Sequence, residues 1–200
     1  MECKNNLKNI ALALHNYASS NGGNFPPAYT VDNNGKRLHS WRTLILAHLD
    51  RRDLYDRIDF SKPWDDLSNA EILKSRVRTY TCPMDDGADN LTTYQAIVSP
   101  GSFFPDAKSR NISAFTDGMG QTLMVVEVCH NDAVPWMCPQ DTDEQSFLTQ
   151  ASNELSPHDG GYNVSYADGS IGFLNKSVAP QILRALISVA ENDVLTGNEF

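Results

Sequence analysis

His158, Asp159 and Asp168 form the densest gathering of groups able to do acid–base or metal chemistry, and Asp117 and Glu127 flank another strand that could carry carboxylates toward them. An imidazole beside a carboxylate is the pairing that both proton transfer and metal ligation use. Each residue also has a plainer use. Asp117-Gly118 and Asp168-Gly169 stand where turns belong, because an aspartate side chain accepts hydrogen bonds from backbone amides just ahead of it. His158, after Pro157 and before Gly160-Gly161, can orient a loop through backbone hydrogen bonds. A nucleophilic enzyme needs a Ser or Cys held by a base that a third group orients. The chain has no G-x-S-x-G elbow. Gly118-Met119-Gly120 lacks the further glycine and following helix of a dinucleotide loop. No catalytic residue is assigned, and the chain reads as non-enzymatic.

Cys3, Cys82, Cys129 and Cys138 include no C-x-x-C pair, the spacing of zinc knuckles and thioredoxin-like sites, so no metal site is read from them. Cys129 and Cys138 flank Pro135-Trp136 in a short excursion after an apolar strand, a separation that a loop can close into a disulfide in an exported protein. Two reduced thiols are the alternative. Cys3 and Cys82 could form a second pair, and spacing leaves the connectivity open. Calcium is the cation that two acidic loops would take, one with Asp85, Asp86, Asp89 and Asn90, the other with Asp141, Asp143 and Glu144. Neither has EF-hand spacing, so solvated loops are the preferred reading and no cofactor is expected.

The positioning framework is that of a chain of 200 residues with 40% hydrophobic composition, enough for one folded unit with a real core. Sixteen Lys and Arg against 25 Asp and Glu give a net charge of −9, which repels phosphate backbones and sets nucleic-acid binding aside. No apolar run reaches membrane-spanning length.

Leu7, Ile10, Ala11, Leu14, Tyr17 and Ala18 recur at spacings of three and four, predicting an amphipathic helix that stops at Gly22-Gly23. His15 lies beside that stripe as a packing residue. Met1 to Leu7 enters the pattern without a clear cap, which reads as a helix continuing upstream. Asn24-Phe25-Pro26-Pro27 enforces an extended segment. Ser40 caps a helix carrying Trp41, Leu44, Ile45 and Leu49, a second carries Leu54, Tyr55 and Ile58, and Ser68 with Glu71 reads as a capping box. After Cys82-Pro83 the pattern turns to strands at 94–98, 123–128, 162–166 and 171–174, the last two joined by Ala167-Asp168-Gly169-Ser170 as a tight hairpin. A helix over 179–190 closes the chain.

Three segments in order resemble a large group of bacterial exported proteins, abundant in planctomycetes, that pair a prepilin-type N-terminal signal with a domain of unassigned function. The first is Cys3-Lys4-Asn5-Asn6-Leu7-Lys8-Asn9-Ile10-Ala11-Leu12-Ala13-Leu14-His15-Asn16-Tyr17 with Phe25-Pro26-Pro27. The second is Ser40-Trp41-Arg42-Thr43-Leu44-Ile45-Leu46, running on to Leu54-Tyr55 and Pro63-Trp64-Asp65. The third is the H-X9-DG ending, His158 with Asp168 and Gly169. The resemblance implies an α+β, pilin-like single domain over 1–200, with a long N-terminal helix on an antiparallel sheet and the middle helices inserted between them. It implies export to the periplasm or cell surface, membrane anchoring through an apolar helix ahead of Met1, and pilin-like subunits or a second copy as partners. It further implies a structural or assembly role in a type II secretion or type IV pilus-like system. An exported, anchored binding protein for a glycan or calcium is the alternative, and a hydrolase using His158 and Asp168 the third reading.

Overall fold

The computed structural model describes residues 2–83, 88–116, 118–151 and 158–190. Asp85, Asp86 and Asp117 lie outside them. Helix α1 (Glu2–Ser20) buries Cys3, Leu7, Ile10, Ala11, Ala13, Leu14 and Ala18, so the three-and-four periodicity defines the inward face as expected. It ends where Gly22 takes φ 63° and the Gly23 amide reaches back to the Ala18 carbonyl at 2.8 Å, a Schellman-type stop that only a left-handed residue permits.

A small hairpin follows, β1 (Tyr29–Val31) with β2 (Arg37–Ser40), and then short helices α2 (Trp41–Leu44), α3 (Arg52–Tyr55) and α4 (Ala70–Leu73). Ser40 caps α2 by accepting from the Thr43 amide, as its sequence position indicated. The expected capping box does not form: α4 has no side-chain cap, and Asp66 instead caps the single tight turn 67–69 ahead of it, accepting from both the Ser68 amide and hydroxyl at 2.9 Å. A carboxylate two residues upstream outcompetes the serine because it is charged and can take both donors at once.

The central sheet is antiparallel, in the order β10-β9-β6-β4, from β4 (Tyr94–Gln95), β6 (Leu123–Glu127), β9 (Gly161–Tyr166) and β10 (Ile171–Asn175). Short pairs β3 (Leu91–Thr92) with β7 (Val134–Pro135) and β5 (Ile97–Val98) with β8 (Thr142–Asp143) extend its surroundings. Helices α5 (Glu144–Ala151) and α6 (Pro180–Ile187) complete the described chain. Every residue of β9 is buried, which happens only when both faces of a strand are covered. On one face Tyr162, Val164 and Tyr166 join Phe147 and Leu148 of α5 and Leu183, Leu186 and Ile187 of α6. On the other, α1 packs directly on β9 and β10, so the middle helices are not inserted between helix and sheet as expected. The segments 46–48 and 78–80 flank α1 instead. The physical reason lies in α1 itself: Ala11, wholly buried beside the 167–169 turn, keeps the sheet-facing side thin enough for direct contact.

The Asp168-Gly169 hairpin forms, but as a three-residue loop. Gly169 alone takes a positive φ, 81°, while its amide bonds the Tyr166 carbonyl at 2.9 Å, the pattern of a turn followed by a glycine bulge.

Arg42 organises the inserted region. Its fully buried guanidinium donates to the carbonyls of Trp136 at 3.1 Å, Cys138 at 2.9 Å and Gln140 at 2.9 Å, and pairs with the equally buried Asp141. Asp141 also accepts from the Trp41 indole at 3.1 Å and the Ala96 amide at 2.8 Å. Burial pushes its carboxyl up from the usual range, and Arg42 works against that shift. Losing one partner of such a pair strands a buried charge, so Arg42→Met should cost about 3–5 kcal/mol in urea unfolding. Gly161→Ala should cost about 1–3 kcal/mol in the same assay, because its new methyl would collide with the Leu174 backbone across the β9–β10 ladder.

Candidate functional site

The first turn of α1, the end of β6, the segment after 78–80 and the entrance to β9 meet at one point. Cys3 comes from the helix and Cys82 from the loop, and their Sγ atoms lie 2.9 Å apart. Glu127, the last residue of β6, is wholly buried, and its Oε2 lies 2.7 Å from His158 Nε2. Asn163, on the α1-facing side of β9, donates to the same oxygen at 3.0 Å. The second carboxylate oxygen, Oε1, is buried and has no hydrogen-bond partner among the described residues. Ligand atoms of Cys3, Cys82, Glu127 and His158 all lie within 4.8 Å of one another, and no other His, Cys, Asp or Glu group among the described residues converges this way.

The surroundings enclose most of this constellation. Burial first, and the Glu127 carboxylate next, push the Tyr94 phenol far above its ordinary range, with Cys3 and Cys82 adding to the shift; Tyr94 therefore stays protonated. Asn6 lies 3.4 Å from that phenol and donates to the Thr81 carbonyl at 3.0 Å, tying the helix to the Cys82 segment. The His158 side chain is 19% exposed and forms the cluster's opening.

Of the residues singled out in the sequence, Glu127 does approach His158, as the flanking-strand argument anticipated. Asp159 stays exposed in the following turn. Asp168 sits beyond the far end of β9, and six strand residues separate the two places by roughly 20 Å. The H-X9-DG residues therefore do not share a site, which removes the geometry a hydrolase using both would need. Cys3 and Cys82 are each under a tenth exposed, leaving a thiol nucleophile no room for substrate.

Asp168 and Gly169 serve a turn that docks on α1. Asp168 Oδ1 accepts from the Ser170 amide at 2.8 Å, and these bonds hold its carboxyl below the usual range against partial burial. Lys8 Nζ donates to the Gly169 carbonyl at 2.8 Å, and His15 Nε2 meets the Ala167 carbonyl at 2.9 Å. His15 also packs edge-on against Phe25, the packing role its position indicated.

The second acidic loop does not form a cation site. Asp141 is spent on Arg42, Asp143 accepts from Ser146 at 2.8 Å at the start of α5, and Glu144 faces Arg184 at 3.8 Å. In the first, Asp89 pairs with Arg76 at 3.2 Å. Cys129 is buried and Cys138 half-buried, and desolvation raises both thiols. Their disulfide is a proposal for an oxidising compartment.

If Asp168 and Gly169 serve only the turn, Asp168→Ala should cost about 1 kcal/mol and Gly169→Ala about 1–2 kcal/mol in urea unfolding. Both should leave the His158 ring resonances in an NMR spectrum unmoved.

Residues 1–181 match the family described as protein of unknown function (DUF1559). No curated protein and no solved structure matches the chain. With nine-tenths of its length covered in a single match, the chain belongs to the DUF1559 family.

Proposed function

We propose that this chain is the exported head of a membrane-anchored, pseudopilin-like protein, with a structural or assembly role in a type II secretion or type IV pilus-like system. The observation that carries the reading is α1 laid lengthwise on an antiparallel sheet. Its outer face is lined by Asn9 and Asn16 around Leu12, which is 58% exposed. In helix-bundled filaments such outer stripes meet neighbouring subunits, and an apolar side chain among amides is where contact would form. The anchor would be an apolar helix ahead of α1, placing the head in the periplasm or at the cell surface, with pilin-like subunits or further copies as partners. Asp168 and Gly169 fit a structural role, since their turn docks on α1, and His158 ties the start of β9 to Glu127 of β6. No helix among the described residues is long and apolar enough to cross a membrane.

One feature favours the second reading, a tethered binding protein. A cleft of about 620 Å³ is lined by Gln95, Asn131, Asp132, Gln145 and Gln150, amides and carboxylates of the kind that bond sugar hydroxyls. None of the Cys3, Cys82, Glu127 and His158 cluster lines it.

Expression of the natural reading frame in a bacterium with a prepilin peptidase separates the two. The assembly reading expects leader cleavage and sedimentable filaments. It also expects Leu12→Arg to abolish sedimentation while changing head stability by less than about 0.5 kcal/mol. Cleaved protein that stays monomeric and tethered would favour the binding protein.

A further inference from the structure

We infer that Cys3, Cys82, Glu127 and His158 form a binding site for one zinc-class divalent transition-metal ion that ties the first turn of α1 to the sheet. The inference is independent of the assembly reading. Four side chains from four distant segments put their ligand atoms within 4.8 Å of one another, a set of two sulfurs, one carboxylate and one imidazole that suits tetrahedral zinc. The thiolates exclude calcium and magnesium as the resident ion, since those take oxygen ligands.

The sulfur pair alone does not decide the matter. At 2.9 Å the two Sγ atoms are farther apart than the roughly 2.05 Å of a disulfide and closer than the roughly 3.8 Å expected for two thiolates on one zinc. A shift of under about 1 Å reaches either arrangement. The carboxylate decides it. Glu127 Oε1 is buried with no hydrogen-bond donor among the described residues, while Oε2 takes both His158 and Asn163. A Cys3–Cys82 disulfide would leave that buried oxygen without a protein partner, a costly state for a carboxylate. A cation between the sulfurs and Oε1 gives it a partner and compensates two thiolates and one carboxylate together. His158 then turns a ring nitrogen to the ion, and Asn163 keeps Oε2 oriented, the outer-shell role that fixes a ligand's direction. Its 19% exposure makes the His158 edge the route of entry.

The test begins with the whole chain, purified, reduced, loaded with zinc sulfate and desalted, with metal measured by inductively coupled plasma mass spectrometry. One zinc per chain is expected, and cobalt(II) in its place should give a thiolate-to-cobalt charge-transfer band. Chelation should lower Tm by roughly 10 °C, the shift for an ion held at about a thousand times its Kd. Cys82→Ser should abolish the cobalt band, and Asn163→Ala should weaken zinc binding by about 10–100-fold. The double variant Cys129→Ser with Cys138→Ser should keep full stoichiometry. If Cys82→Ser does not fold, Asn163→Ala and the wild-type cobalt spectrum still decide. Substoichiometric zinc after reduction would overturn the inference. So would zinc lost from the Cys129/Cys138 variant but retained by Cys82→Ser, or a Cys3–Cys82 disulfide found by peptide mapping that re-forms with zinc present.

Discussion

A polar group buried beneath a helix costs free energy unless it is paired, because it has lost its water. In this chain the face under α1 mixes apolar Val125, which shares a core cluster with Leu7, Ile10 and Leu14, with polar residues. Glu127 of β6 and Asn163 and Ser165 of β9 are buried on that face, while their neighbours Tyr162, Val164 and Tyr166 point to the opposite cluster. The helix is therefore seated by hydrocarbon packing and by polar pairing together. The polar part of the seat lies on either side of buried Ala11, with Cys3 beside Glu127 and His158 at one place and Lys8 and His15 on the 167–169 turn at the other. The rest of the molecule follows from that seat. Helices α5 and α6 cover the far face of the sheet, and the inserted helices gather along the flank of α1 around the Arg42–Asp141 pair.

What could be read in the sequence was what is local. The α1 stripe, its glycine stop, the Ser40 cap and the four main strands each depend on neighbours a few residues away, and periodicity or turn chemistry exposes them. The Asp66 cap was missed because a charged acceptor two residues upstream of Ser68 competes better than the capping-box pattern allows for. Arg42 shows a harder limit. Nothing in the Ser40 to Leu46 segment marks it as buried, because the carboxylate that pairs it lies 99 residues further on.

The candidate site was half readable for the same reason. His158 and Glu127 stood out as titratable groups at strand ends. Nothing in a linear spacing rule joins Cys3 to Cys82, 79 residues apart, or either to the carboxylate. Metal-ligand motifs are recognisable when two ligands share one turn or knuckle. A constellation that draws a single ligand from each of four segments leaves no such trace, and an unpaired carboxylate oxygen becomes visible only once the chain is folded.

The nine-residue interval of the H-X9-DG pattern works as a gauge. Strand β9, about 20 Å long, runs beside the stretch of α1 from Cys3 to His15, twelve residues or about 18 Å of helix. The two clamps thus have matched separations on both elements. One residue added to or removed from the strand would slip its register, turn Asn163 away from the carboxylate and carry the turn past its lysine and histidine. The interval is fixed by the length of helix it must measure.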